Sequence, residues 1–376
     1  MSGKNILNLS LVELEKEVIE LRVPKFRSKQ IFTSLHKYNI SSINEIIGIP
    51  ALLKTKLDGY YFLPELKTVR ITDSQNFNTK KFLFEIISGD QYYFIEAVLI
   101  SEKGRDTFCI STQVGCNVGC EFCATGKMGF KKNLDVSLIV AQVYEVIRQT
   151  KVTPTNIVFM GMGEPFLNYD NMLKSLKVLT HPDGLALSSK RITISTVGFT
   201  GKIKKFADDL SLEENKPVRN VKLALSLHST DNGIRESIIP TSVKNTLAEI
   251  YKELIYFYQK TNNKITYEYI FFPGLNDTEN DVKRIAKISK MVPSNLNIIP
   301  FHPIEFELKK PLDIFNDKKD INNLLLNKKL NDFIARLKNE KVVVNLRTSS
   351  GVDINAACGQ LAVIQDKSNI NSECIS

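Results

Sequence analysis

Tryptophan is missing from the chain altogether, and histidine occurs only four times among 376 residues. No uninterrupted apolar run approaches the roughly 20 residues that a membrane-spanning helix needs, which excludes a helical membrane protein. Internal repeats and low-complexity tracts are also lacking, so a solenoid or fibrous architecture is excluded. With 43% hydrophobic and 24% charged residues, the chain is too apolar to be mainly disordered. What is present is ordinary globular composition, long enough for one large domain and a smaller one. The opening segment MSGKNILNLSLVELEKEV places acidic residues where an export signal would carry its apolar core, so a cytoplasmic address is expected.

Basic residues exceed acidic ones by 50 to 41, a net charge of +9. That surplus favours polyanionic partners only weakly. It is uneven: between Leu21 and Glu45 there is no acidic side chain, while Arg22, Lys25, Arg27, Lys29 and Lys37 all fall there. This stretch reads equally well as a solvated helical face or as a surface turned to nucleic acid. The six cysteines are more informative, because Cys109, Cys116, Cys120 and Cys123 crowd together while Cys358 and Cys374 lie near the end. In a reducing compartment that distribution points to metal or redox chemistry and away from a disulfide framework.

Periodicity divides the chain. Residues 1–60 carry apolar residues at helical spacing in LVELEKEVIEL, SKQIFTSLHKY and LLKTKL, and are expected to form an accessory helical domain. Residues 61–104 switch to strand-like KTVRIT, KKFLFEII and YYFIEAVLI, a small antiparallel β extension. From 105 to 347 strands and helices alternate: NIVFMG, a helix at 172–179, RITIST, a helix, VKLALSLH, a helix at 247–258, ITYEYIFF, a helix at 279–288, LNIIPF, a helix at 324–337 and VVVNLR. Such alternation predicts parallel β-structure with crossover helices, as a barrel or a doubly wound sheet. Residues 348–376 form a small-residue loop and a tail.

The strongest local pattern is Cys116-Asn-Val-Gly-Cys120-Glu-Phe-Cys123, following the apolar segment CISTQV. Three thiolates with no fourth Cys or His at ligand spacing cannot saturate a four-iron cluster, so one iron would stay open to a ligand. The competing reading is a structural zinc site, but zinc there wants four closed ligands, and His181, His228 and His302 are distant in sequence. Downstream, Phe159-Met-Gly-Met-Gly-Glu164-Pro165 follows a strand; its glycines let backbone approach a ligand, and Glu164 can accept from an ammonium group. Ser195, and Ser226, Leu227 and His228, lie at later strand ends, the edge where barrel sites are built. Finally, Cys358 stands alone in GVDINAACGQL, where its small neighbours and Asp353 predict a mobile, accessible loop and a reactive thiol; Cys109 is a candidate partner.

These motifs resemble the radical S-adenosylmethionine superfamily, and over nearly the whole chain its dual-specificity 23S rRNA and tRNA adenine-C2 methyltransferases. The resemblance implies a partial (β/α)6 barrel within an α/β fold. It implies one 4Fe–4S cluster on Cys116, Cys120 and Cys123, and two S-adenosylmethionine molecules per turnover. Gly163, Glu164, Ser195, Ser226, Leu227, His228 and His302 would bind that cofactor, although His302 stands where relatives carry Asn. Cys358 would take a methyl group, a radical would activate it, and the carbon would add to adenine C2, a position too electrophilic for direct methylation. Cys109 would release the product by forming a transient disulfide with Cys358, and Glu96 would accept the C2 proton, although from sequence alone it reads as a solvent-facing strand residue. The implied partners are 23S rRNA, tRNA and an electron donor such as flavodoxin, with the protein a monomer off the membrane. Cys374 matches no role.

Two other readings stay open. Cfr-like C8 methyltransferases of 23S rRNA, which confer antibiotic resistance, commonly carry Ala where this chain has Pro165, so Pro165 favours C2. A non-catalytic, zinc-stabilised RNA-binding protein would explain charge and cluster, but leaves Cys109, Cys358 and the GMGEP loop idle.

Overall fold

The computed structural model describes residues 3–64, 66–316, 324–347 and 350–362. Three helices open the chain: α1 (Leu11–Glu20), α2 (Phe26–His36) and α3 (Ala51–Tyr60). The first starts at a capping box, in which the Ser10 side chain accepts from the Glu13 N–H and the Glu13 carboxylate accepts from the Ser10 N–H. Three antiparallel strands follow, β1 (Leu66–Asp73), β2 (Thr79–Ser88) and β3 (Gln91–Glu102), and β3 turns back into β4 (Arg105–Cys109).

From β4 onward every strand pairing in the main sheet is parallel. The chain runs through α4 (Val136–Thr150), β5 (Asn156–Phe159), α5 (Tyr169–Thr180), β6 (Ile192–Thr196), α6 (Lys202–Ser211), β7 (Lys222–Ser226), α7 (Asn232–Ile238), α8 (Leu247–Thr261), β8 (Ile265–Phe271), α9 (Glu279–Met291), β9 (Ser294–Pro300), α10 (Leu324–Asn339) and β10 (Val344–Leu346). The expected alternation is therefore realised, within an α/β fold. These ten strands form one sheet in strict chain order from β1 to β10, with the six crossover-connected strands β4 to β9 and the three-residue β10 at the edge. The sheet is open, as a partial barrel requires. The antiparallel strands extend this same sheet through the β3–β4 pairing and do not stand apart from it.

Helix α4 was not among the expected elements. Its residues from Val136 to Val146 are all buried, so it offers no polar face whose period could be read. Its start is capped by Asp135, which accepts from the Leu138 N–H at 2.9 Å.

One continuous apolar core runs from Ile6, Leu14 and Phe32 in the amino-terminal helices to Ile194, Leu223 and Phe333 around the barrel sheet. The seam between them is specific: Asn5 donates to Ser137 at 2.9 Å, and His36 Nδ1 lies 2.8 Å from the Tyr144 hydroxyl. A second, smaller core at the carboxyl ends of the strands gathers Cys116, Cys120 and Phe122 with Val197, Ile238, Phe272 and Phe301. No described helix is long and apolar enough to cross a membrane. Cys374 lies outside the described residues.

Candidate active site

The cysteine loop leaves β4 and is bonded at once to the glycine-rich turn after β5. Met162 N–H donates to Ser111 Oγ at 2.8 Å, Thr112 N–H to the Met162 carbonyl at 2.8 Å, and Glu164 N–H to Gln113 Oε1 at 2.8 Å. Gly163 makes this approach possible. Its φ is +101°, and a β-carbon there would stand 2.6 Å from Gln113 Cβ. Ser111 also donates to the Glu96 carbonyl at 2.6 Å, which ties the same knot to β3.

Glu164 is buried, and each carboxylate oxygen accepts one backbone N–H, from Phe166 and from Val197, both at 3.0 Å. Burial outweighs these bonds and pushes its pKa up to about 7. Ser195 and Ser226, on neighbouring strand ends, bring their hydroxyls within 3.3 Å. The Leu227 side chain is wholly buried, so only its backbone can serve a ligand; its N–H already donates to Glu268. His228 adopts φ +52°, and its Nδ1 accepts from the Ile270 N–H at 3.1 Å, so its proton sits on Nε2. Burial, with Arg235 nearby, lowers its pKa to about 3 and keeps it neutral. The His302 Nε2 atom is buried and has no partner among the described residues, which fits a ligand contact.

The three loop cysteines fit a cluster by their chemistry. Burial raises all three thiols, to about 12 for Cys116, and each of Cys116 and Cys120 also feels the charge of Cys123. Thiols this reluctant to ionise in isolation become thiolates when a cation takes the proton's place. Among the described residues no three His, Cys, Asp or Glu side chains are gathered to single-ion distance. A four-iron cluster makes no such demand, because each thiolate binds its own iron.

The Cys358 loop is docked against this turn. Ala124 N–H donates to the Gly359 carbonyl at 2.7 Å, and Thr125 Oγ1 to the Leu361 carbonyl at 2.6 Å. Cys358 is exposed at the tip of this loop, and Gln360 Nε2 adds a bond to the Pro303 carbonyl at 3.1 Å. Asp353 does not attend Cys358, because it accepts from Ser74 Oγ and Gln75 N–H at the β1–β2 turn. Cys109, at the end of β4, is half-buried, and burial together with the Cys358 charge pushes its thiol up to about 12. No disulfide joins these two; all five described cysteines are free thiols.

Glu96 corrects the sequence reading outright. It is 2% exposed, its Oε1 lies 3.1 Å from Lys81 Nζ, and its Oε2 is buried with no hydrogen-bond partner among the described residues. Lys81 also donates to the Asn355 carbonyl at 3.3 Å, joining Glu96 to the Cys358 loop. Burial raises the Glu96 pKa against the pull of Lys81.

The structure adds residues that the motifs do not contain. Ser226, Glu268, Asn297 and Asn345 stand in register on β7 to β10. Asn297 donates to Glu268 at 2.9 Å and Asn345 to Asn297 at 3.2 Å. Burial opposes the charge of Arg347, yet Glu268 and the thiols of Cys358 and Cys109 hold its pKa above the ordinary value. A lone Glu inside ITYEYIF was a usable signal, since a carboxylate in an apolar strand must be partnered. Nothing in the sequence marks Arg347 or Arg235.

The description "Radical SAM superfamily" matches residues 110–286, which begin at the end of β4 and include the cysteine loop. A probable dual-specificity RNA methyltransferase RlmN from Dictyoglomus turgidum is 36% identical over 363 residues, 96% of this chain and 97% of that protein. The chain belongs to the RlmN family of radical SAM proteins. Another relative, the ribosomal RNA large subunit methyltransferase N of Nitrosopumilus maritimus, is 35% identical over 93% of this chain and 95% of its own. The crystal structure of a radical SAM methyltransferase from Sphaerobacter thermophilus superposes with a TM-score of 0.82 at 31% identity, covering 96% of this chain and 99% of that one. Membership brings S-adenosylmethionine and an iron–sulfur cluster as the family's cofactors.

Proposed function

We propose that this radical SAM RNA methyltransferase methylates C2 of adenine in 23S rRNA and in tRNA through an S-methyl intermediate on Cys358. The observation that carries the reading is the docking of the Cys358 loop onto the cysteine turn, where Ala124 bonds Gly359 and Thr125 bonds Leu361. Cys116, Cys120 and Cys123 would hold the 4Fe–4S cluster, and Gly163, Glu164, Ser195, Ser226, the Leu227 backbone, His228 and His302 would hold S-adenosylmethionine. When bound, these groups supply the methyl carbon and the radical that activates it.

The chain's own residues do the rest. Cys358 is the exposed sulfur that accepts the methyl carbon; burial of its surroundings raises its thiol pKa, and the charge of Arg347 works against that rise, toward the thiolate that nucleophilic attack requires. Glu96, buried, with one carboxylate oxygen that has no hydrogen-bond partner among the described residues and a raised pKa, is suited to receive the C2 proton. The Cys109 thiol, next to Cys358, then loses its proton and attacks the Cys358 sulfur; the S–S bond forms as the S–C bond breaks, its electron pair leaves with the methylene carbon, and that carbon takes up a proton to become the product methyl group. An external reductant restores both thiols.

The test is mass spectrometry of nucleosides from 23S rRNA and tRNA, after incubation with the anaerobically reconstituted protein, S-adenosylmethionine and a reductant. Appearance of 2-methyladenosine is expected. Appearance of 8-methyladenosine instead would move the chemistry to C8. The Cys358→Ala chain should form no product, and the Cys109→Ala chain should accumulate an RNA–protein adduct; multiple turnover by the latter removes Cys109 from its role.

A further inference from the structure

Arg235, in α7, is among the largest fully buried side chains, with 1% of its surface exposed. Its guanidinium donates to four acceptors: the Leu227 carbonyl at 3.1 Å, the Ser226 carbonyl at 3.1 Å, Ser242 Oγ at 2.6 Å, and the Val197 carbonyl. All four are neutral, so four of the five N–H donors are used while the charge is not answered. No carboxylate among the described residues forms an ion pair with it. A buried cation without a counter-charge costs several kcal/mol, which carbonyl dipoles offset in part and a negative group nearby would offset further. Burial lowers the Arg235 pKa to about 10, and the ionisable groups that bear on it are the Tyr251 phenol and the Cys120 thiol, both of which burial keeps neutral.

Cys120 is close by construction. The Glu121 N–H donates to the Ile238 carbonyl at the end of α7, at 2.9 Å, and Cys120, Ile238, Ile239 and Val197 share the second core. A free thiol at Cys120 carries no charge to offset the guanidinium. Three thiolates on an iron–sulfur core do, and one-electron reduction adds another negative charge at the same place.

We infer that Arg235 is the built-in counter-ion of the cluster: a positioning residue whose fixed charge, set between the ends of β6 and β7 and the Cys120 loop, favours the reduced cluster. The inference rests on the cluster assignment given above. A purely structural Arg235 would staple the two strand ends equally well but would leave the reduction equilibrium alone.

An anaerobic redox titration of the reconstituted full chain, followed by electron paramagnetic resonance without RNA, separates the two. Arg235→Gln keeps hydrogen-bonding groups and removes the charge. Ser242→Asp keeps the guanidinium and sets a carboxylate against it. Both are expected to shift the reduction equilibrium at least tenfold toward the oxidised cluster, about 59 mV for one electron. Arg235→Lys should stay near the unaltered chain. An unchanged potential in Arg235→Gln overturns the inference. Should that chain fail to retain iron, Ser242→Asp decides: a lowered potential supports the counter-ion role and an unchanged one overturns it. If the unaltered chain itself holds no cluster, the cofactor reading falls and this inference falls with it.

Discussion

Individual side chains at this site are set by burial more than by pairing. Glu164 shows it most directly: two backbone N–H bonds do not compensate for its removal from water, and its pKa rises from the ordinary 4.5 to about 7. The folded chain holds that proton up to about pH 7, whereas the unfolded chain releases it near 4.5. Stability of the cofactor-free protein should therefore fall as pH rises across this window, by an amount on the order of 3 kcal/mol. In Glu164→Gln that fall should be absent. Thermal unfolding of both proteins at pH 5 and pH 8 checks it; equal pH dependence in the two would remove Glu164 as the source. Glu96 was misread for a related reason. Residues Ile95 to Leu99 of β3 are buried on both faces, so alternation along the strand carries no information about which side chains meet water.

At the scale of elements, alternation of strand and helix was legible because the crossover helices α5, α6, α8, α9 and α10 keep a polar face, whereas the short α7 was not among the expected elements. Helix α4 was not, because packing closes around its whole first three turns. The turns that build the site were legible as motifs, but their mutual docking was not, since hydrogen bonds such as Thr125 to Leu361 span 236 positions. Two elements make testable claims. In the cysteine loop, Gly115 has φ +70°, and a β-carbon there would fall 1.8 Å from the Gly129 carbonyl oxygen. That collision is with backbone and cannot be relieved by a rotamer. Gly115→Ala should open the loop between Gln113 and Phe130 at a cost of at least about 1–3 kcal/mol. Iron bound per chain after reconstitution should drop, while far-ultraviolet circular dichroism stays that of the native barrel; full iron loading would refute the steric argument.

The seam between α2 and α4 is the second such element. His36 is buried against Tyr144, and burial lowers its pKa to about 3. Because the unfolded chain takes up this proton near pH 6.5, stability is present above that value and is lost as pH falls toward 3. At pH 5 the penalty is about 2 kcal/mol. Amide exchange in α2, corrected for its intrinsic pH dependence, should quicken between pH 7 and pH 5, and His36→Gln should abolish the acceleration. Exchange that quickens equally in the variant would place the acid sensitivity elsewhere.

For the whole molecule the question is how a net charge of +9 meets folded RNA. The acid-free stretch reads equally well as a solvated face or as a surface turned to nucleic acid, and in the structure several of its charges already have partners. Lys25 pairs with Glu15 at 3.0 Å, and Lys29 pairs with Asp183 at 3.0 Å, so both charges are partly answered within the protein. Arg27 donates to Gln30 Oε1 and to the Gly48 carbonyl, so its donors are already in use within the protein. Lys132, just after the cysteine loop, donates to Ser88 and lies over the Tyr93 ring. Arg22, Lys37 and Lys131 form no ion pair among the described residues and are the better candidates for phosphate contact. Each phosphate contact that is lost should weaken binding and reduce the slope of log affinity against log salt by about 0.9 for a duplex and about 0.7 for a single strand. Reversing Arg22 and Lys131 should therefore flatten the slope by more than one, measured on a tRNA or an rRNA fragment from 50 to 200 mM salt. Reversing Lys25 and Lys29 should change it by much less, because Glu15 and Asp183 already screen them. If the second pair flattens the slope more than the first, the exposed ion pairs open on binding and the amino-terminal helices present their whole basic stretch to the RNA.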